Sequence, residues 1–196
     1  MTEKTMKIED DAYLTPAGRG RDGGYRTGQA PDRARSCCFT GHRAAKLPWG
    51  YDEADPRCLA LKKVISDAIT ALCESGVTYF LSGMALGGDL YFAEAVLALR
   101  LLHPEVMLEA AIPCEGQERR WPEPLQSRYR QIAGECDVRT VLARRYTPDC
   151  MMRRNRYMVD RAHYLLAAYS GAPGGTRNTL RYAKQRGCEI ILLPFG

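Results

Sequence analysis

No stretch of this 196-residue chain approaches the roughly 20 consecutive apolar residues that a membrane-spanning helix requires, so no membrane partner is expected. The N-terminus lacks an apolar segment of the signal-peptide kind, and a cytoplasmic location is expected. There is no Cys-x-x-Cys pair either. That removes the ligand spacing of many structural zinc sites, and no metal is expected. The eight cysteines, at 37, 38, 58, 73, 114, 136, 150 and 188, are scattered through apolar or helical patterns. They read as reduced thiols rather than as a disulfide framework. A strong charge of one sign is also lacking: 28 Lys and Arg against 23 Asp and Glu leave +5, a mild field for a nucleic-acid binder.

What is there is ordinary for a globular protein. Hydrophobic content of 45% and charged content of 26% fit one domain with a proper core. Residues 1–35 read as a flexible tail rich in Gly, Pro and charge, from which at most a short piece packs on the domain. The domain is expected over 36–196. Within it, residues 118–161 hold eleven Arg and six Asp or Glu, a surplus equal to that of the whole chain. Such a stretch either faces an anion or is a solvated helical surface, and its pattern favours neither.

Apolar runs and helical periods alternate along the domain. Strands are expected at 36–40, 77–81, 106–113, 137–142 (nearer a sheet edge), 163–169 and 189–194. Helices are expected at about 55–75, 88–102, 117–134 (with Trp121-Pro122 interrupting it near the start, which leaves a proper beginning after Pro124 open), 150–160 and 176–187. Leu61, Ile65, Ala68 and Leu72 give the first of these its 3.6-residue period, and Gly76 its stop. Strands buried on both faces and alternating with helices define an α/β, Rossmann-like three-layer α/β/α fold with a doubly wound, mostly parallel sheet. Ligands of such sheets sit at the carboxyl ends of the strands, near the point where strand order reverses.

Three strand ends carry glycine and polar residues together. The middle one, Ser82-Gly83-Met84-Ala85-Leu86-Gly87-Gly88-Asp89, has three glycines in six residues. So many glycines are entropically costly, and they suggest a chain that passes close to a bound group such as a phosphate. The first is Thr40-Gly41-His42-Arg43, where Thr40 offers a hydroxyl, Arg43 a donor fork and His42 a titratable ring. The third runs from Gly171 through Pro173-Gly174-Gly175-Thr176, where Thr176 or Asn178 is placed to cap a helix or to bond an anion. None of these turns carries the Gly-x-Gly-x-x-Gly dinucleotide fingerprint, and no cofactor is expected.

Other candidates are more open. Asp89 either caps its helix or holds a ligand hydroxyl. Glu94, among apolar neighbours, is either paired or aimed at the cleft. Asn155 shares a helical face with Met151 and Met158, and Arg154 flanks it. Trp49 and Tyr51 either stack on a base or cover the edge of the core.

Together, Cys38 to Arg43, Ser82 to Leu90 with Ala93-Glu94-Ala95, Arg154-Asn155-Arg156 with Asp160, and Gly174-Gly175-Thr176 resemble the YpsA-type family of the SLOG superfamily of Rossmann-like proteins. The resemblance covers about 36–196. That superfamily includes DNA-processing protein A, a loader of recombinase on single-stranded DNA, and the LOG phosphoribohydrolases, which release cytokinin bases from nucleotides. The turn from Ser82 to Asp89 is similar to the phosphate-holding loop of the first. Met151 and Arg154, with Pro173-Gly174-Gly175, are similar to the signature of the second. In the phosphoribohydrolases the Pro-Gly-Gly turn leads on to a catalytic Glu; here Thr176-Arg177-Asn178-Thr179-Leu180-Arg181 follows, without a carboxylate.

The resemblance thus implies a nucleotide or ADP-ribose-like ligand, held by Thr40 to Arg43, Ser82, Gly83, Gly87 to Asp89, Glu94, Arg154, Asn155 and Gly174 to Thr176. Two other functions stay open. One is glycosidic hydrolysis of nucleoside phosphates, with Glu94, Asp89 or Glu115 as a relocated acid. The other is single-stranded DNA binding through residues 118–161, which the mild charge disfavours. Whether the protein is an enzyme, which ligand it takes and whether it forms a homo-oligomer stay open too.

Overall fold

The computed structural model describes residues 13–15 and 31–194. Six parallel strands form the sheet: β2 (Ser36–Gly41), β3 (Tyr79–Ser82), β4 (Met107–Ile112), β5 (Val138–Val141), β6 (Tyr164–Ala168) and β7 (Glu189–Leu193). A short strand, β1 (Tyr13–Thr15), lies antiparallel on β5. This is the short piece of the tail that packs on the domain; the rest of residues 1–30 lies outside the described residues. The spatial order is β1-β5-β4-β3-β2-β6-β7. The chain therefore moves one way from β2 to β5, then returns to the other side of β2 with β6. The reversal falls between β2 and β6, which puts the crevice of a doubly wound sheet at their carboxyl ends.

Five helices cover the sheet: α1 (Pro56–Glu74), α2 (Gly88–Arg100), α3 (Glu123–Glu135), α4 (Cys150–Arg161) and α5 (Gly175–Gln185). Helix α1 begins where Asp55 accepts from the Arg57 N–H at 2.8 Å and Pro56 presets the first φ. It ends before Gly76, whose φ is +98°. Along the strands the side chains alternate. Cys37, Phe39, Phe80, Leu108 and Ala110 bury against α1, α2 and α3. Cys38, Tyr79, Leu81, Ala111 and Leu165 bury against α4 and α5. This period of two is what a strand buried on both faces requires.

Two features of these cores could not be read from periodicity. Trp49 belongs to the core at 7% exposure, whereas Tyr51 is 61% exposed, so the loop's aromatics divide rather than forming one stacking surface. On the α4 face Glu109 of β4 is fully buried. Its Oε2 accepts from the Tyr79 hydroxyl at 2.7 Å, and its Oε1 from the Thr140 and Tyr157 hydroxyls, each at 2.7 Å. Burial, reinforced by the Glu109 charge, pushes the Tyr79 hydroxyl above its ordinary range, so it remains a donor.

Phe39 ties the site-bearing end of β2 to α2. Its ring stacks on Phe92 at 5.1 Å and lies directly beneath Gly41 and Gly88. Phe39→Ala is expected to cost about 3–5 kcal/mol, the range for deleting a fully buried ring. Equilibrium denaturation in guanidinium measures it, and a cost under about 1 kcal/mol would contradict this packing.

Candidate functional site

The three glycine turns meet at the carboxyl ends of β2, β3 and β6, and hydrogen bonds join them. The first turn is sewn to the second. Arg43 and Gly87 form an isolated antiparallel bridge, and the Ala44 N–H donates to the Leu86 carbonyl at 3.0 Å. Gly87 has φ +100°, and a Cβ there would stand 2.7 Å from the Ala44 nitrogen. Only glycine fits that position without displacing backbone. The first turn is also sewn to the third. Ser170 N–H donates to His42 Nε2 at 3.3 Å, with the Ser170 hydroxyl 2.9 Å from the same nitrogen. Thr176 Oγ1 donates to the Gly41 carbonyl at 3.2 Å.

Inside the second turn, Ser82 supplies the closure. Its hydroxyl donates to the Asp89 carbonyl at 2.8 Å and accepts from the Met84 N–H at 3.2 Å. Met84 is fully buried with φ +57°, a left-handed conformation that a bulky residue rarely adopts. Strain of this kind costs on the order of 1–3 kcal/mol and persists where the surroundings over-determine it. Here Ser82 holds the Met84 N–H, and Gln117 donates to the Met84 carbonyl at 3.2 Å.

Behind the turn lies a buried ion pair. Arg154 of α4 donates from Nη1 to Asp89 Oδ2 at 3.0 Å, with the two residues 5% and 7% exposed. The Ala85 N–H donates to the same carboxylate oxygen at 3.2 Å. The guanidinium fills the space beside Gly83, where a Cβ would fall 1.4 Å from Nη1 and 2.7 Å from Asp89 Oδ2. Burial nevertheless pushes the Asp89 carboxyl above its ordinary value, against the pull of Arg154 and the Ala85 N–H. Arg154 Nε is buried and has no hydrogen-bond partner among the described residues. A buried charged donor left this way is costly, and a ligand acceptor would satisfy it.

The turns enclose a cleft of about 240 Å³. Thr40, Gly41, His42 and Arg43 line it from the first turn, Asp89 and Arg154 from behind, and Asn155, Gly174, Gly175 and Thr176 from the far side. Ser82, Gly83, Gly87 and Gly88 do not line it; they shape the loop that supports it. Glu94 stands outside. Arg128 grips its carboxylate with Nε at 2.6 Å and Nη2 at 2.7 Å, and also holds Glu53. Of the two arrangements open to Glu94, pairing is the one found. Glu115 is exposed on the loop after β4 and does not line the cleft. Among the described residues, then, Asp89 is the carboxylate in the cleft wall, and it is engaged by Arg154 and Ala85. Lys46, which the motifs did not mark, adds a third cation beside Arg43 and Arg154. Its signal was a basic residue just beyond Arg43 at a strand end.

A Rossmann-like domain with a cationic cleft at its strand ends is what the fold and the geometry define. The model of the YspA SLOG family matches residues 37–190, and the chain belongs to that family. It is 34% identical over 152 residues to the UPF0398 protein BH1768 of Halalkalibacterium halodurans, covering 76% of this chain and 79% of the relative. It is 30% identical over 144 residues to the uncharacterized SPbeta prophage-derived protein YoqJ of Bacillus subtilis, covering 67% and 84%. Among solved structures it is similar to DNA processing protein A of Helicobacter pylori, a single-stranded-DNA-binding protein. The TM-score is 0.59 at 17% identity, over 84% of this chain and 67% of that one. The Streptococcus pneumoniae counterpart gives 0.59 at 17%, over 83% and 51%. At these identities the structural likeness is one of fold.

Two outcomes test the geometry. Gly83→Ala is expected to force the Arg154 guanidinium off Asp89 and to lower stability by about 3–5 kcal/mol, the range for breaking a buried pair. A denaturation midpoint equal to wild type would contradict the close approach. For His42, burial and, secondarily, Lys46 push the imidazole below its ordinary value of about 6.5. As pH falls below that value the unfolded ring takes its proton before the folded one. Stability is thus full above about 6.5 and declines below it. An NMR titration should place His42 below 6.5, and His42→Gln should flatten the decline; a ring titrating above 6.5 would contradict its burial beside Lys46.

Proposed function

We propose that this protein binds an anionic nucleotide derivative of the ADP-ribose class in the cleft between β2 and β6, as a sensor or carrier rather than a catalyst. The observation that carries this is the grouping of Arg43, Lys46 and Arg154 around the cleft, with a buried, unpartnered Nε on Arg154. A phosphate oxygen has the charge and the acceptor geometry for such donors. The start of α5 at Gly175 adds backbone N–H groups and the positive end of a helix dipole. Thr176 does not compete for the anion, because its hydroxyl is committed to Gly41.

Catalysis is disfavoured by the chemistry of the wall. Glycosidic cleavage needs an acid for the leaving base and an activated water. Glu94 is gripped by Arg128, the third turn carries no carboxylate, and Asp89 already serves Arg154 and Ala85. The competing ligand is single-stranded DNA, since the fold is shared with a protein that binds it and α4 carries further arginines.

Thermal unfolding in the presence of ADP-ribose decides between them. At 100 times its Kd a ligand stabilises by about 2.7 kcal/mol, and Arg43→Ala and Lys46→Ala should each reduce the shift at fixed concentration without changing the ligand-free midpoint. No shift with ADP-ribose, together with salt-sensitive binding of a single-stranded oligonucleotide, would overturn the proposal.

A further inference from the structure

A second cavity of about 340 Å³ lies between α4 and α5, and it adjoins the first. Met151, Asn155 and Gly175 line both. The cleft at the strand ends, at about 240 Å³, is smaller than the ~300 Å³ at which small-molecule sites usually begin. The two differ in character as well as in size. The first is walled by cations and glycine backbone. The second is walled by the thioethers of Met151 and Met152 and by the Tyr182 ring, with amides and guanidinia at its edge.

The aromatic wall is held in place. The Tyr182 hydroxyl donates to Asp160 at 3.0 Å, the Arg156 guanidinium lies 5.3 Å from the ring centre, and Arg186 pairs with Asp160 at 2.7 Å. Asn178 and Gln185 line the same groove, and neither makes a side-chain hydrogen bond among the described residues. Methionine sulfur, a tyrosine face and an arginine plane suit a flat heteroaromatic ring, and amides suit the donors and acceptors on its edge. Asn155, at the junction, donates to Thr179 Oγ1 at 2.8 Å, and Thr179 donates on to the Gly175 carbonyl at 3.0 Å. The wall common to both cavities is thereby braced against α5.

We infer that the α4–α5 groove is the base subsite of the ligand: the phosphate and ribose occupy the strand-end cleft, and a purine-type base passes Asn155 to lie between Met151, Met152 and Tyr182. This rests on the cleft being an anion site. It adds that specificity for the base resides on the outer faces of α4 and α5, away from the glycine turns. The groove is thus part of one bipartite site rather than a separate surface.

Ribose 5-phosphate and AMP differ by the base alone, so titration calorimetry with the two probes isolates the groove. Wild type is expected to bind AMP at least ten-fold more tightly than ribose 5-phosphate. Gln185→Trp, which fills the groove from an exposed position on α5, should bring the two affinities within three-fold. Met152→Glu, on exposed α4 surface, should do the same. Neither change should alter ribose 5-phosphate binding by more than two-fold. Equal affinities in wild type, or an AMP advantage that survives both substitutions, would overturn the base subsite while leaving the anion cleft standing. Failure of both probes to bind wild type would overturn the cleft and the groove together.

Discussion

The buried pairing of Arg154 with Asp89 is the constraint on which the site depends. Removing two charges from water is expensive, and one contact at 3.0 Å repays it only partly. The structure tolerates the pair because each partner does further service. Asp89 stands in the first turn of α2, and its carboxylate gathers the Ala85 N–H from the loop before it. Arg154 brings a positive charge under the floor of the cleft. Gly83 is needed because the guanidinium occupies the space of its missing side chain. Truncating either partner would leave the other charge buried alone, so the pair couples α4 to the β3–α2 turn.

Around that pairing the rest of the turn is held by its own bonds. Ser82 and Gln117 hold Met84 in a left-handed conformation, and the turn is sewn to the first through Gly87. His42 and Thr176 then bind the first turn to the third. Three loops at three strand ends are thus joined into one rim, with cations lining the cleft. Donors held in place around a small cavity suit the anion proposed for it, since little ordering is left to be done on binding.

Much of this was legible in the sequence. Periodicity placed the parallel strands and most helices to within a few residues, although α3 starts at Glu123, past the Trp121-Pro122 interruption; Gly76 marked the end of α1 because its local chemistry acts at short range. The glycine turns announced the strand ends that form the cleft. What stayed hidden was pairing across long separations. Whether Glu94 served the cleft or a neighbour depended on Arg128, 34 residues away on another helix. That Asp89 answers Arg154, 65 residues on, needed the topology. Glu109 is the charged residue of an otherwise apolar strand, and its three hydroxyl partners come from β3, β5 and α4, which only the topology brings together. Trp49 was ambiguous for the same reason, since a loop aromatic is core or surface according to what folds over it. The groove between α4 and α5 left no motif, because it is made of ordinary residues on two helices.

The proposed anion site turns on whether the guanidinium of Arg154 receives a ligand's anionic oxygen. A crystal structure of the protein grown with ADP-ribose tests this most directly. Electron density is expected in the crevice between β2 and β6, with a phosphate oxygen about 3 Å from the Arg154 guanidinium and Arg43 turned toward it. A ligand bound elsewhere, or bound in the crevice with its phosphates pointing away from Arg154, would contradict it.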